Sequence, residues 1–173
     1  MKKSFLFILL LFIATTQASA KTPWESYLAL PIPERASKVD AIEYTPGAIP
    51  DERGYWAPDL NILRNQVLAG DGASFRLAYR LVEKADGGLL EELIAILGHT
   101  IRVHPDFFLK EMSKLNPDQD LLRSILMTPG LEYVDRNYAR RYELYMRRMA
   151  LTDVSTLSLS EFRDSCLKLI EIH

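Results

Sequence analysis

Histidines are the side chains of this chain that could most readily bind a metal ion or move a proton at neutral pH. The chain has three of them, His99, His104 and His173. His99 and His104 stand five residues apart across the expected end of a helix, which is not the i, i+4 spacing that brings two imidazoles onto one metal. Asp106 could add a carboxylate to this corner, although no spacing requires it. The sequence therefore favours a solvated histidine and a helix-end histidine over a metal site at His99, His104 and Asp106, and it predicts no cofactor.

Nucleophilic chemistry has little support in the sequence. The chain contains no G-x-S-x-G, no phosphate-binding loop and no G-x-G-x-x-G. Its single cysteine, Cys166, lies with Phe162, Leu169 and Ile170 on the apolar stripe of one expected helix, so we expect a small buried hydrophobe. Two carboxylates facing each other across a cleft could still come from distant positions, which leaves a hydrolase open as an alternative.

The first 20 residues have the composition of a secretory signal peptide. A basic head, Met1-Lys2-Lys3, precedes an apolar run over 4–16 that is short for a membrane span, and 18–20 reads Ala-Ser-Ala, a cleavage signature. We expect cleavage after Ala20 and export to the periplasm or beyond. Removal of Lys2 and Lys3 with the signal peptide would change the formal charge of the chain from −2 to −4, and a negative charge disfavours nucleic acid as a partner. No membrane span is expected in the remaining chain.

Residues 21–58 form a segment rich in proline and aromatic side chains. It holds six of the nine prolines of the chain, and proline at that density disfavours long helices. We expect an extended N-terminal arm with one short helical turn near 24–30, packed on the rest of the protein because its aromatic residues argue against disorder. Tyr55 and Trp56 at its end are candidate contacts for a partner.

Residues 59–173 carry a helical pattern throughout. The expected helices cover 59–69, 73–85, 89–103, a segment from Pro105, a segment capped by Asn116, 131–151 and a segment capped by Ser158. The helix at 89–103 is apolar around so much of its circumference that we expect it to be central. In the last helix, Glu161 completes a capping box with Ser158, and Leu157 and Phe162 form a hydrophobic staple. About seven helices joined by short turns predict an all-α fold of antiparallel helical hairpins, either a HEAT-like array or an irregular bundle.

The helix expected at 131–151 has the densest charge. Its apolar stripe consists of Val134, Tyr138, Tyr142, Tyr145 and Met149. On the opposite face Glu143 precedes Arg147 by four residues, the favoured orientation for a helical ion pair, so we interpret that face as solvated and joined by salt bridges. Arg141 and Arg148, seven residues apart on the flank of the tyrosine stripe, are the better candidates for contacts with an acidic partner or an aromatic ring.

The stretch over 70–112 resembles a segment of small secreted bacterial proteins. The resemblance is carried by the turn Ala85-Asp86-Gly87-Gly88, the corner LGHTIRVHP and the Phe-Phe-Leu that follows. The architecture resembles HEAT-like helical repeats. The resemblance covers about a quarter of the chain, implies helical hairpins in an exported protein, and brings no activity with it.

The leading functional hypothesis is an exported, non-enzymatic protein-interaction module whose partner is another exported or envelope protein or peptide. Stacked helix pairs offer an extended groove for such a partner. One alternative is an immunity-type inhibitor that neutralises a toxic enzyme in the periplasm, which small size, a signal peptide and acidic charge would fit. The other is a cell-envelope hydrolase, which requires His99 or His104 to converge with two acids in a pocket.

Overall fold

The computed structural model describes residues 23–38, 56–130, 133 and 135–170. The expected signal peptide at 1–20, Tyr55 and Val134 lie outside the described residues. The helices are α1 (Pro23–Leu28), α2 (Ile32–Lys38), α3 (Trp56–Leu68), α4 (Gly72–Val82), α5 (Gly87–Val103), α6 (Pro105–Leu115), α7 (Gln119–Met127), α8 (Asn137–Thr152) and α9 (Ser160–Leu169). Because these residues contain helices and no strand, the all-α prediction is confirmed. Within the same ranges, no helix is both long and apolar enough to cross a lipid bilayer.

The described part of the expected arm contains two short helices, α1 and α2, where one helical turn was expected. Both helices place proline in their first turn, with Pro23 at the start of α1 and Pro33 near the start of α2. Proline is tolerated there because the first amide groups of a helix have no intrahelical acceptor. The density of prolines therefore limits the length of these helices without preventing them.

A buried polar cluster holds α2 against the helical body. The guanidinium of Arg35 donates through Nη1 to Oδ2 of Asp71 at 2.8 Å, to Oγ of Ser74 at 3.0 Å, and to the side-chain oxygen of Gln66. The hydroxyl of Tyr27 lies 3.2 Å from the carbonyl oxygen of Arg35 and links α1 to the same point. Asp71 is also the N-cap of α4, so one carboxylate both starts that helix and binds α2.

Two expected helix starts are displaced by local backbone chemistry. Asn116 is not the N-cap of the following helix: it ends α6 in the left-handed conformation, with φ of +48°, and Asp118 caps α7 by accepting from the amide of Leu121 at 2.8 Å. Asn is among the few residues that adopt this conformation readily. The prediction that Asn116 is the N-cap is therefore wrong, because the N-cap of α7 lies two residues later, at Asp118.

The capping box and staple expected at Ser158 are also wrong. A single 3₁₀ turn, Leu157–Leu159, precedes α9, and α9 itself begins at Ser160. Ser160 donates its hydroxyl to the carbonyl oxygen of Leu157 at 2.8 Å. Leu157 is 88% exposed, so it forms no staple with Phe162. The 3₁₀ turn that precedes α9 moves the start of this helix beyond Ser158, despite the capping pattern in the sequence.

Helix α5 is the central element, as its apolar circumference predicted. It packs against α3, α4, α6, α7 and α8. Every residue from Leu93 to Gly98 is buried, as are Thr100 and Ile101. A glycine inside a helix costs about 1 kcal/mol relative to alanine, and Gly98 is kept here by the close approach of two neighbours. A Cβ atom at this position would lie 2.6 Å from Nη1 of Arg147 and 2.6 Å from the carbonyl oxygen of Ile125.

We predict that Gly98→Ala lowers the free energy of unfolding by about 1–3 kcal/mol, because the backbone of α7 and the guanidinium of Arg147 must both move. Gly88→Ala in the first turn of α5 is the matched control, since a Cβ there meets nothing within 4 Å. The control should be neutral or slightly stabilising. Urea unfolding of the two variants measures the difference, and equal midpoints would contradict the close approach at Gly98.

Cys166 lies in the core, as expected from its place on the apolar stripe of α9. Its side chain is fully buried, and burial raises the pKa of the thiol from an ordinary 9.0 to about 12. Only the thiolate reacts readily with alkylating reagents. A thiol in this environment packs as a small hydrophobe and is not a nucleophile at physiological pH.

We predict that iodoacetamide alkylates Cys166 in the folded protein at pH 8 at least about a hundredfold more slowly than in urea-unfolded chain. The free energy of unfolding should also fall as the pH rises above 9.0, because the unfolded chain ionises its thiol before the folded protein does. This contribution is at most about 1.4 kcal/mol per pH unit, and it should be missing in Cys166→Ala. Two results would place the thiol outside the core: fast alkylation of the folded protein, or the same pH dependence of the free energy of unfolding in the unmodified protein and in Cys166→Ala.

Candidate functional site

Helix α8 has its charged and aromatic faces in the reverse of the expected orientation. Its buried side chains are Glu143, Leu144, Arg147 and Leu151. Its exposed side carries Tyr138, Tyr142, Tyr145 and Met149, whose side chains are 92%, 60%, 49% and 40% exposed. The tyrosine stripe is therefore not a core face, and the face interpreted as solvated contains the buried ion pair.

The guanidinium of Arg147 explains this orientation. Its Nη1 atom lies 3.1 Å from each of three carbonyl oxygens at the end of α7, those of Ile125, Leu126 and Thr128. The last carbonyl groups of a helix have no intrahelical donor and must find one elsewhere when they are buried. The next residue, Pro129, has no amide hydrogen to offer them. Arg147 supplies the missing donor from α8.

Glu143 balances the buried charge of Arg147. Its Oε1 accepts from Nε of Arg147 at 3.0 Å, and its Oε2 accepts from Nη1 of Arg102 at 2.8 Å. The Glu143 side chain is 2% exposed, whereas that of Arg102 is 41% exposed and reaches solvent. Burial lowers the pKa of the Arg147 guanidinium, and the adjacent Glu143 carboxylate acts in the opposite direction. The hydrogen bond to Glu143 raises the pKa of Arg102. The predicted Glu143–Arg147 pair thus exists, but it joins α8 to α5 and α7 inside the protein.

His99, His104 and Asp106 each have a different environment in the structure. His99 is half-buried, contrary to a solvated position, and its Nε2 donates to the carbonyl oxygen of Pro129 at 2.7 Å. His104 is exposed at the junction of α5 and α6. Asp106 accepts from the hydroxyl of Thr156 at 2.6 Å. In the described parts of the chain, no group of three or more His, Cys, Asp or Glu side chains could hold a metal ion.

The other expected contact residues have separate environments. Arg148 is exposed, and its Nη1 donates to the carbonyl oxygens of Leu167 at 2.8 Å and Ile170 at 3.2 Å, where it completes the end of α9. Arg141 is also exposed, and no side-chain hydrogen bond or ion pair joins it to another described residue. Trp56 begins α3, and its side chain lies outside the described part of the structure, as does all of Tyr55.

We call Tyr138, Tyr142, Tyr145 and Met149 the aromatic face of α8. Their spacing puts them on one side of the helix over about 16 Å of its axis. Contiguous exposed apolar patches on soluble domains mark interaction sites more often than isolated exposed residues do. The aromatic face offers phenol hydroxyls, ring faces and a thioether, which are suited to binding.

Sequence reasoning missed Arg102 and Gly98 as parts of the network around Arg147. One signal for Gly98 was present, because an isolated glycine within a strongly apolar helix usually indicates a close backbone approach or packing requirement. A second signal was the end of α7, where Pro129-Gly130 leaves carbonyl groups without local donors. Neither signal identifies Arg147 as the donor to these carbonyl groups.

No family model, curated protein or solved structure matches this chain.

We predict that Arg147→Met lowers the free energy of unfolding by about 3–5 kcal/mol, because it leaves buried carbonyl groups without a donor and removes an inner partner of Glu143. Arg141→Met, in the same helix but exposed, is the matched control and should change the value by less than about 0.5 kcal/mol. Chemical denaturation of both variants at one pH measures the two effects. Similar losses in the two variants would contradict an inward-facing Arg147.

Proposed function

We propose that this protein is an exported, non-enzymatic protein-interaction module and that the aromatic face of α8 is its contact surface. The observation that carries the proposal is the exposure of three tyrosines and a methionine along one side of a helix that buries an ion pair on the other side. Tyr and Met are enriched in protein interfaces relative to the remaining surface, and Tyr is frequent among the residues that dominate binding energy.

The energetics of α8 support a binding role for this face. A buried ion pair is weak evidence for stability, since apolar residues of similar volume are often as good or better. The tyrosines of α8 bury little of their surface in the fold, so stability alone gives no reason for their residue type. Arg147 and Glu143 fix the rotation of α8 about its axis, so the positions from which the tyrosines project are set before a partner binds. A preorganised surface loses less conformational entropy on binding.

The composition of residues 1–20 supports export, so we propose that the partner is another exported or envelope protein or peptide. We further propose that the body is a HEAT-like stack of helical hairpins. Contacts within the pairs α3–α4, α5–α6 and α7–α8, and between α5 and the helices of the flanking pairs, support this arrangement. An immunity-type inhibitor is a narrower form of the same proposal, and the identity of the partner decides it.

The hydrolase alternative gains no support from the described residues. It needed His99 or His104 to meet two acids, whereas His99 is bonded to a backbone carbonyl group and His104 lies exposed between two helices.

We predict that the triple variant Tyr138→Ser/Tyr142→Ser/Tyr145→Ser binds the natural partner at least about thirtyfold more weakly than the unmodified protein, since losing one dominant contact costs about 2 kcal/mol. The partner is first captured from the native envelope by crosslinking and then purified for calorimetry. The matched control is Ile62→Ser/Leu157→Ser, which changes exposed apolar residues elsewhere on the surface and should bind normally. Thermal unfolding verifies that all three proteins are folded.

Equal binding by the triple variant would show that the contact surface lies elsewhere. Turnover of a defined substrate by the purified protein, with no partner recovered, would contradict the non-enzymatic proposal itself.

A further inference from the structure

We infer that the aromatic face of α8 binds an acidic amphipathic helix of the partner protein, with apolar side chains against the tyrosines and carboxylates along one edge. This inference rests on the proposed function, and it specifies the chemistry of the segment that occupies the surface.

The charge on α8 is distributed on one edge of the aromatic face. With about 100° between successive residues, Arg141 lies about 70° from the centre of the face, and Arg148 lies beside it on the same edge. The opposite edge, formed by Ala139, Met146 and Ala150, has no charge within α8, and the exposed carboxylates of Asp135 and Asp153 lie just beyond the two ends of the helix. The single acid of α8, Glu143, is buried and bound to two arginines. The accessible surface of α8 is therefore cationic on one edge and has no carboxylate of its own.

Arg141 is available to an incoming carboxylate. Its side chain is exposed, and no hydrogen bond or ion pair connects it to another described residue. Arg148 still has donor groups besides the Nη1 atom that contacts the end of α9. Arg141 and Arg148 thus make one edge of α8 positive, although the chain as a whole has a formal charge of −2. This positive edge favours an acidic occupant and faster association with it.

The shape of the surface favours a helix. The aromatic face is a straight ridge of about 16 Å, or about three helical turns, with anchors spaced i, i+4, i+7 and i+11. The described residues contain no strand, so they offer no sheet edge to which an extended peptide could add. An amphipathic helix of three or more turns can pack its apolar stripe along such a ridge, with side chains of one helix between those of the other.

A second copy of this chain is a poorer occupant. Packing α8 on α8 in an antiparallel two-fold arrangement would bring the two arginine edges together, and a parallel arrangement would pair each with an uncharged edge. Within Asn137–Thr152 neither arrangement supplies an accessible carboxylate, because Glu143 is buried, and in the antiparallel arrangement the like charges brought together disfavour association.

The test uses synthetic three-turn helical peptides, stapled on their outer side, that share one leucine stripe and carry Glu, Gln or Lys along one edge. Binding is followed by chemical shifts of the Tyr138, Tyr142 and Tyr145 rings. We expect the Glu peptide to bind about tenfold more tightly than the Lys peptide at 50 mM salt, with a smaller ratio at 300 mM salt. Arg141→Glu should abolish or invert this preference. The matched control Lys84→Glu reverses a charge in the exposed turn after α4 and should preserve it.

Equal affinity for the Glu, Gln and Lys peptides, or a preference for Lys, would overturn the acidic-helix inference. So would the failure of every peptide together with binding to phosphatidylglycerol vesicles, which would indicate a lipid surface instead. The purified natural partner distinguishes this failure from that of the proposed function. If its binding depends on the three tyrosines but not on Arg141 or salt, the interaction surface is correct and the acidic chemistry is wrong. If binding of the natural partner depends neither on the three tyrosines nor on Arg141 and salt, both the proposed interaction surface and the acidic chemistry are wrong.

Discussion

The arrangement of α5, α7 and α8 depends on the hydrogen bonds and the ion pair that the buried guanidinium of Arg147 makes. This guanidinium reaches from α8 to three carbonyl oxygens at the end of α7 and is balanced by Glu143, which Arg102 of α5 also binds. Gly98 makes room for it, since any side chain there would overlap the guanidinium. A buried charge is tolerated only when hydrogen bonds and a counter-charge are supplied. Glu143 supplies the counter-charge, and three backbone carbonyl groups accept from Nη1, whereas Nη2 has no hydrogen-bond partner among the described residues.

The orientation of the aromatic face follows from this constraint. Residues 143 and 147 lie on one side of α8, and residues 138, 142, 145 and 149 must then lie on the other. A rotation of α8 by half a turn would bury the tyrosines but would leave the carbonyl groups of α7 without donors and Glu143 in solvent. The orientation of the surface proposed for binding is thus a consequence of how the end of α7 is satisfied.

The sequence predicted the features that depend on local pattern and missed those that depend on distant partners. The apolar circumference of α5 indicated its central place, and the spacing around Cys166 indicated a core position. The capping pattern at Ser158 failed because a tight turn after α8 determines where α9 begins. In α8 both faces were plausible core faces, since tyrosine is partly polar and arginine can be buried when paired. The deciding fact, the unsatisfied end of α7, is contributed by residues about 20 positions earlier in the chain.

Hydroxyl-radical footprinting read by mass spectrometry tests whether α8 turns its tyrosines to solvent and its ion pair to the core. Tyr138, Tyr142 and Met149 should be oxidised in the folded protein at rates close to those of the unfolded chain, because their side chains are exposed. Tyr27, Tyr79 and Met112, which are buried, should be protected and serve as internal references. Protection of the α8 tyrosines to the level of Tyr79 would show that they form part of the core, and it would contradict the account.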